Sequence, residues 1–218
     1  MKRLLVLLVA AAALSAPLLA EVLIFTSGET DRGASRMAIF DGHPRGLLSD
    51  QSEFLGQIVV NFGKPQWKPE YKSMLKGGGD QKVWRLGADY WTTLEANIPF
   101  RLGGKRLQPN QYFLAARYSQ ERGGWNLLVL DPAKVRQGHL DPFVAQGLPK
   151  RHLEGAGSPL ITEIPLESST LEETAEKLSI LITSESKTPP ARGTLAIRWG
   201  DIQLAVDLEA ELPMTASE

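Results

Sequence analysis

The chain contains no cysteine. Disulfides, a thiol nucleophile and the lipid-carrying cysteine of a bacterial lipoprotein are therefore all excluded, and packing alone must hold the fold together. Histidine is scarce as well. His43, His139 and His152 lie far apart, and none falls in a His-x-x-x-His or His-Glu-x-x-His arrangement, so a zinc site has no local support. An excess of charge is also missing: 24 Lys and Arg stand against 25 Asp and Glu, without a basic run, which argues against nucleic acid as a partner. Gly77-Gly78-Gly79-Asp80 lacks the Lys-Ser/Thr of a P-loop, and Gly155-Ala156-Gly157-Ser158-Pro159 lacks the Gly-x-Ser-x-Gly elbow of a serine hydrolase. These gaps nominate no catalytic residue, no metal site and no cofactor.

A long apolar run occurs once, at the start. Lys2 and Arg3 precede Leu4 to Leu14, and Ser15 to Ala20 ends in a small residue, the pattern of a secretory signal peptide over residues 1–20 cleaved after Ala20. The competing reading is an uncleaved anchor, since Leu4 to Ala20 is uncharged, although Pro17 and Glu21 interrupt it at about the 17-residue minimum for a span. Cleavage implies a periplasmic or secreted protein that meets the membrane only through that segment. Without Lys2 and Arg3, 22 basic residues face 25 acidic ones, a charge of about −3. About 198 residues remain, enough for one domain to bury about 70% of its unfolded surface.

Between Gly56 and Trp199 short alternating runs are punctuated by Gly, Pro and Asn, as in an antiparallel sandwich or barrel. Gln57 to Phe62 reads as a strand stopped by Gly63-Lys64-Pro65, and Trp67 to Gly79 as an irregular loop. From Trp91 to Ile98, the residues Thr92, Leu94, Ala96 and Ile98 share one face while Trp91, Thr93, Glu95 and Asn97 share the other. Gly103-Gly104 marks a hairpin, and Pro109-Asn110 suits the centre of a type II turn. Tyr112 to Tyr118 and Trp125 to Leu130 read as strands. Asp131 to Pro165 reads as a long excursion with a short helix near Pro132 to Gln137. Thr170-x-x-Glu173 resembles a capping box or else a polar loop, Leu178 to Ile182 alternates, and Leu195 to Trp199 faces Ile202 to Val206 across Gly200-Asp201 as a hairpin. Residues 21–54 read as an irregular N-terminal segment in which Val22 to Phe25 and Met37 to Phe40 are candidate strands. Residues 55–210 read as one sandwich domain and 211–218 as a disordered tail.

The chemistry concentrates in Lys82-Val83-Trp84-Arg85-Leu86-Gly87-Ala88-Asp89. In one reading Trp84 stacks on a sugar or apolar ligand while Lys82 or Arg85 pairs with an anionic group. In the other Trp84 fills the core and Arg85 pairs with Asp89 or Glu95. Trp91, beside Thr93 and Glu95, suits a carbohydrate platform. Asp89 and Glu95 form a conceivable glycosidase pair, whose separation sequence spacing does not give. The candidate binding set is thus Lys82, Trp84, Arg85, Asp89, Trp91 and Glu95.

Gly63-Lys64-Pro65, the Lys82 to Ala88 element, Gly104-Lys105-x-Leu107 leading to Tyr112, Trp125 and Trp199-Gly200 resemble the bacterial secreted family known as domain of unknown function 2911, over about residues 55–208. The resemblance implies an exported β-rich domain and no established activity. The chain departs from that family's pattern at Gln81, where a Gly is usual, at Asp89-Tyr90-Trp91-Thr92, where Asn-Glu-Ala-Thr is usual, and at Lys64, which stands in place of a forked Arg. Asn110 takes the place of a turn Gly.

The combined expectation is an all-β protein, an antiparallel β-sandwich of jelly-roll type with long loops and at most short helices. Its expected role is that of a non-catalytic binding or structural module of the cell envelope, with a glycan, a small anionic ligand or another envelope protein as partner. Two alternatives stand beside it. One is a carbohydrate- or envelope-acting hydrolase. The other is a protein that docks onto an exported complex through Phe143, Leu148 and Leu153 in the 131–165 excursion.

Overall fold

Alternating side chains in strand after strand bury one face of each sheet, and the computed structural model is accordingly a sandwich of two antiparallel sheets. It describes residues 31–41, 52–75, 83–140, 153, 155–185, 187 and 189–212. The larger sheet has the order β1-β2-β4-β7-β8-β9, formed by Arg32–Asp41, Glu53–Gly63, Thr92–Ala96, Asn110–Ser119, Gly124–Leu130 and Leu160–Pro165; β3, Val83–Trp84, pairs with β7 as a seventh strand. The smaller sheet has the order β10-β11-β5-β6, formed by Glu167–Ser184, Arg192–Ala210, Phe100–Leu102 and Lys105–Leu107. Jelly-roll wrapping is not confirmed by this order, in which the larger sheet runs largely through successive neighbours.

The core lies between the sheets. Ile58, Val60 and Phe62 of β2, Leu94 of β4, Leu114 of β7 and Leu127 and Val129 of β8 meet Phe100, Leu102, Leu178, Ile180, Leu195, Ile197, Leu204 and Leu208 of the smaller sheet. A second cluster forms on the outer face of the larger sheet, where Ala115, Leu128 and Leu130 pack against Val135 and Leu153. Val135 belongs to helix α2, Pro132–Gln137, which Asp131 caps by accepting bonds from Ala133 N and Lys134 N, with Pro132 pre-set for the first turn. The Gly103-Gly104 turn has positive φ at both residues, as a two-residue type I′ hairpin requires.

Several expectations change. The candidate strand Met37 to Phe40 is part of a longer, ten-residue strand, β1, which pairs with β2 through one register shift after Ile39; Gly33 does not break it but makes room for the Phe62 ring. The loop after Trp67 carries a 3-10 turn, Pro69–Tyr71, and a four-residue helix, Lys72–Leu75. Asn110 is not at a turn centre with positive φ but opens β7, paired with Ala96. The excursion ends earlier than Pro165, because Leu160–Pro165 pairs with β8 as β9.

The largest correction concerns Gly200. Leu195 to Trp199 and Ile202 to Val206 do not fold onto each other. Both belong to the continuous 19-residue β11, in which Ile197 pairs with Ile180 and Leu204 with Ser168 of β10. Gly200, at φ 62°, absorbs a bend, while β10 advances from Thr170 to Ala175 as β11 moves only from Ile202 to Gly200. The Thr170-x-x-Glu173 segment is therefore bulged strand, neither helix nor loop. It has no apolar stripe with which a helix could dock. Val22 to Phe25, the signal segment, Gly77 to Gly79 and the tail beyond Leu212 lie outside the described residues.

Candidate functional site

The Lys-Val-Trp-Arg element is built as an interruption of one strand lane. β3 and β4 pair with the same edge of β7, Trp84 opposite Ala116 and Thr92 opposite Leu114, so a step of two residues along β7 is matched by a step of eight from β3 to β4. The surplus, Arg85 to Trp91, leaves the lane as an excursion. Leu86 and Asp89 take left-handed backbone there, at φ 54° and 62°, unusual for residues with a Cβ and costly unless fixed by their surroundings.

The surroundings fix it in four ways. Thr92 Oγ1 donates to the Leu86 carbonyl from a fully buried position. Arg85 Nη1 donates to the carbonyl of Asp89 at 2.7 Å, contacting the backbone of that residue. Gly63 presses against the Ala88 backbone. From β1, Arg32 reaches across to donate to the carbonyls of Ala88, Tyr90 and Trp91, at 3.4, 3.4 and 3.1 Å, and its guanidinium lies 3.9 Å from the centre of the Tyr90 ring. Burial lowers the Arg32 pKa below its ordinary value, an effect opposed by Tyr90 and Asp89.

Trp84, 8% exposed, points into the core and stacks on Trp199, with centroids 5.2 Å and planes 17° apart. Trp125 meets its edge at 6.1 Å, and Trp67 and Tyr71 extend the cluster from the other side of Trp199. Trp199 Nε1 donates to the Pro65 carbonyl. The motif residues Gly63, Pro65, Trp84, Ala88, Trp125, Trp199 and Gly200 thus converge on one end of the sandwich.

The outer face of β2, β4 and β7 is different in character. Because Ile58, Val60 and Leu94 face inward, Gln57, Asn61, Thr93, Glu95 and Gln111 face outward. Glu95 Oε1 accepts from Thr93 Oγ1 at 3.1 Å and from Gln111 Nε2 at 3.0 Å. Beside this polar strip Trp91, 6% exposed, lies flat on Phe113 at 5.3 Å, and beyond it the outer cluster under α2 takes over.

The six residues singled out by sequence therefore separate. Trp84 is core, Trp91 is stacked beneath the surface, and neither offers an open ring face. Arg85 and Asp89 belong to the excursion, half-buried, and Glu95 alone lies on the polar strip. Lys82, with His43 and His152, falls outside the described residues. So do Phe143 and Leu148. Leu153, expected on an exposed docking patch, is instead 4% exposed within the outer cluster. Sequence reasoning missed Arg32, which carries no local motif, and missed the exposed pair Phe40 and Phe54, whose rings touch edge to face at 5.4 Å. Their signal was the alternation Arg36, Ala38, Phe40, hidden among apparent strand breakers.

Among the described residues no cluster of three or more His, Asp and Glu side chains is arranged to hold a metal, and no helix is long and apolar enough to cross a membrane. No family model, no curated protein and no solved structure matches this chain.

Proposed function

We propose that the protein is an exported, non-catalytic binding module of the cell envelope, and that it presents ligand to the outer face of β2, β4 and β7. The observation that carries this reading is the polar strip, in which Thr93 and Gln111 both donate to one oxygen of Glu95 while Gln57 and Asn61 extend the same face. A row of amides and a hydroxyl around a positioned carboxylate is well suited to read a hydroxylated ligand by hydrogen bonds. The export signal and the resemblance of the Gly63, Trp84 and Trp199 elements to the secreted family of unknown function support the same reading. In it, the Lys-Val-Trp-Arg element serves the fold. Asp89 and Glu95 occupy different parts of the molecule, the excursion and the far half of β4, which is a poor arrangement for a pair of hydrolytic carboxylates.

The test is a binding screen of the full chain against envelope polysaccharides, small anions and envelope proteins, with product analysis for hydrolysis. Binding that weakens in Glu95→Gln and Gln111→Ala supports the reading. Turnover of any substrate, or binding indifferent to both variants, overturns it.

A further inference from the structure

On the same face as the polar strip, but at the far end of β1 and β2, lie the two most exposed phenylalanines among the described residues. Phe40 is 40% and Phe54 46% exposed. They pair directly across the strands, just beyond a bulge at Ile39, and their ring planes meet at 63°. Phe40 shares the outward side of β1 with Arg36 and Ala38, because Met37 and Ile39 turn toward the core. Moving along the face from the two rings, the next cross-strand pair is Ala38 with Gln57. The row after it runs Arg36, Val59, Glu95, Gln111 across four strands.

We infer that Phe40, Phe54, Gln57, Glu95 and Gln111 form a binding track for a neutral oligosaccharide of pyranose rings; the inference rests on the binding-module reading above. A pyranose has an apolar face of C–H groups and a rim of hydroxyls. The two halves of the track match those two parts. Exposed aromatic rings offer a surface for the C–H face, and the amides with the carboxylate offer donors and acceptors to the hydroxyls. Phe40 lies four residue steps along β1 from the Arg36 row, about 13 Å at about 3.3 Å per step, so a chain of sugars spans it and a single sugar does not. Charge selects within that class. Arg36 and Glu95 balance each other along the strip, and the exposed pair Asp41 and Glu53 next to the rings adds negative charge, which disfavours a polyanion, while the uncharged rings, amides and hydroxyl that line the track suit a neutral ligand. The patch of two rings is also small and bordered by polar groups, unlike the broad apolar core of a stable protein interface.

The experiment is isothermal titration of the full chain with neutral hexasaccharides of β-1,4-glucose, β-1,4-N-acetylglucosamine, α-1,4-glucose and α-1,6-mannose, alongside inorganic phosphate, citrate and an envelope-protein extract. The expected result is binding of at least one hexasaccharide, weakened at least about tenfold by Phe40→Ala and by Phe54→Ala and retained by Phe54→Trp, with unchanged thermal midpoints. Binding of a hexasaccharide that survives both alanine variants overturns the track. Binding only of an anion or a protein, lost in Glu95→Gln, overturns the oligosaccharide while leaving the binding-module reading in place. No ligand of any class, or cleavage of a hexasaccharide, overturns both.

Discussion

Gly63 and Ala88 are in backbone contact: a methyl group added at position 63 would come within 2.7 Å of the Ala88 nitrogen and nearer still to its carbonyl oxygen. Two sequence elements that lie more than twenty residues apart are thereby one structural unit. The end of β2 forms the seat on which the Arg85 to Trp91 excursion rests, and Gly87 lies against the same seat.

Gly63→Ala is expected to destabilise the protein. Replacing Gly by Ala restricts the unfolded chain and by itself stabilises by about 0.4–1 kcal/mol. Here the new methyl meets backbone on a loop already held at four points, so the overpacking cost of about 1–3 kcal/mol dominates. Urea denaturation checks the sign: a midpoint equal to or above that of the parent would show that the seat yields freely.

Trp84→Ala empties a site walled by Trp199 and Trp125, and the expected loss is about 3–5 kcal/mol. Trp84→Phe keeps part of the stacking area and should lose less than half of that. If Trp84→Ala instead left stability unchanged and removed only ligand binding, the ring would belong to a recognition surface, against its burial.

Strand content was legible wherever an alternating run met a turn residue with one conformational meaning. Gln57 to Phe62, Tyr112 to Tyr118 and the Gly103-Gly104 hairpin are such places, and the short helix expected near Pro132 to Gln137 is α2. Gly200 was misread because a glycine with positive φ serves a hairpin and a bulge equally well. What decided between them lies far away in sequence: the Trp67 ring packs against Gly200, where a Cβ would be 2.7 Å from it, and β10 supplies the partner for both halves of β11. The site was less legible than the fold. Trp84 stands out between Lys82 and Arg85, and Trp91 beside Thr93 and Glu95, but a sandwich spends its largest rings inside. Phe40 and Phe54 matter for their exposure, which depends on β1 being a strand at all. Arg32 gave no signal, since its hydrogen-bond partners are carbonyls, which every residue has, and the Tyr90 ring it covers lies 58 residues away in sequence.

Arg32→Ala should loosen the excursion specifically. The guanidinium supplies bonds to three carbonyls, the best of them at 3.1 Å, and removing a charged donor of this kind costs about 1.5–3 kcal/mol; the lower end applies, because two bonds are long and the side chain is half-exposed. Arg32→Lys keeps the charge but not the fork, so it should recover only part of the loss. Hydrogen exchange gives the sharper reading. Amides of residues 86–91 should exchange faster in Arg32→Ala while those of β7 and β8 keep their protection; uniform loss across the sheet would mean that Arg32 stabilises the whole fold instead.

Asp31 links three elements at one corner, accepting from Lys64 at the end of β2 and from Lys177 of β10, each at 2.8 Å. The hydrogen bond from Lys177, followed by that from Lys64, holds its carboxyl pKa below the ordinary value. A carboxylate with a depressed pKa in the folded state contributes stability that is present above the unfolded-state pKa and is lost as pH falls through the folded one. Asp31→Asn should therefore lower the thermal midpoint most at neutral pH, and the gap between variant and parent should close as pH falls below about 4. Because the pair is open to solvent, about 1 M salt should shrink the same gap at neutral pH. A gap that persists unchanged through acid and through high salt would assign the effect of the substitution to the Asp31 backbone, whose carbonyl accepts from Lys64 N, and not to its charge.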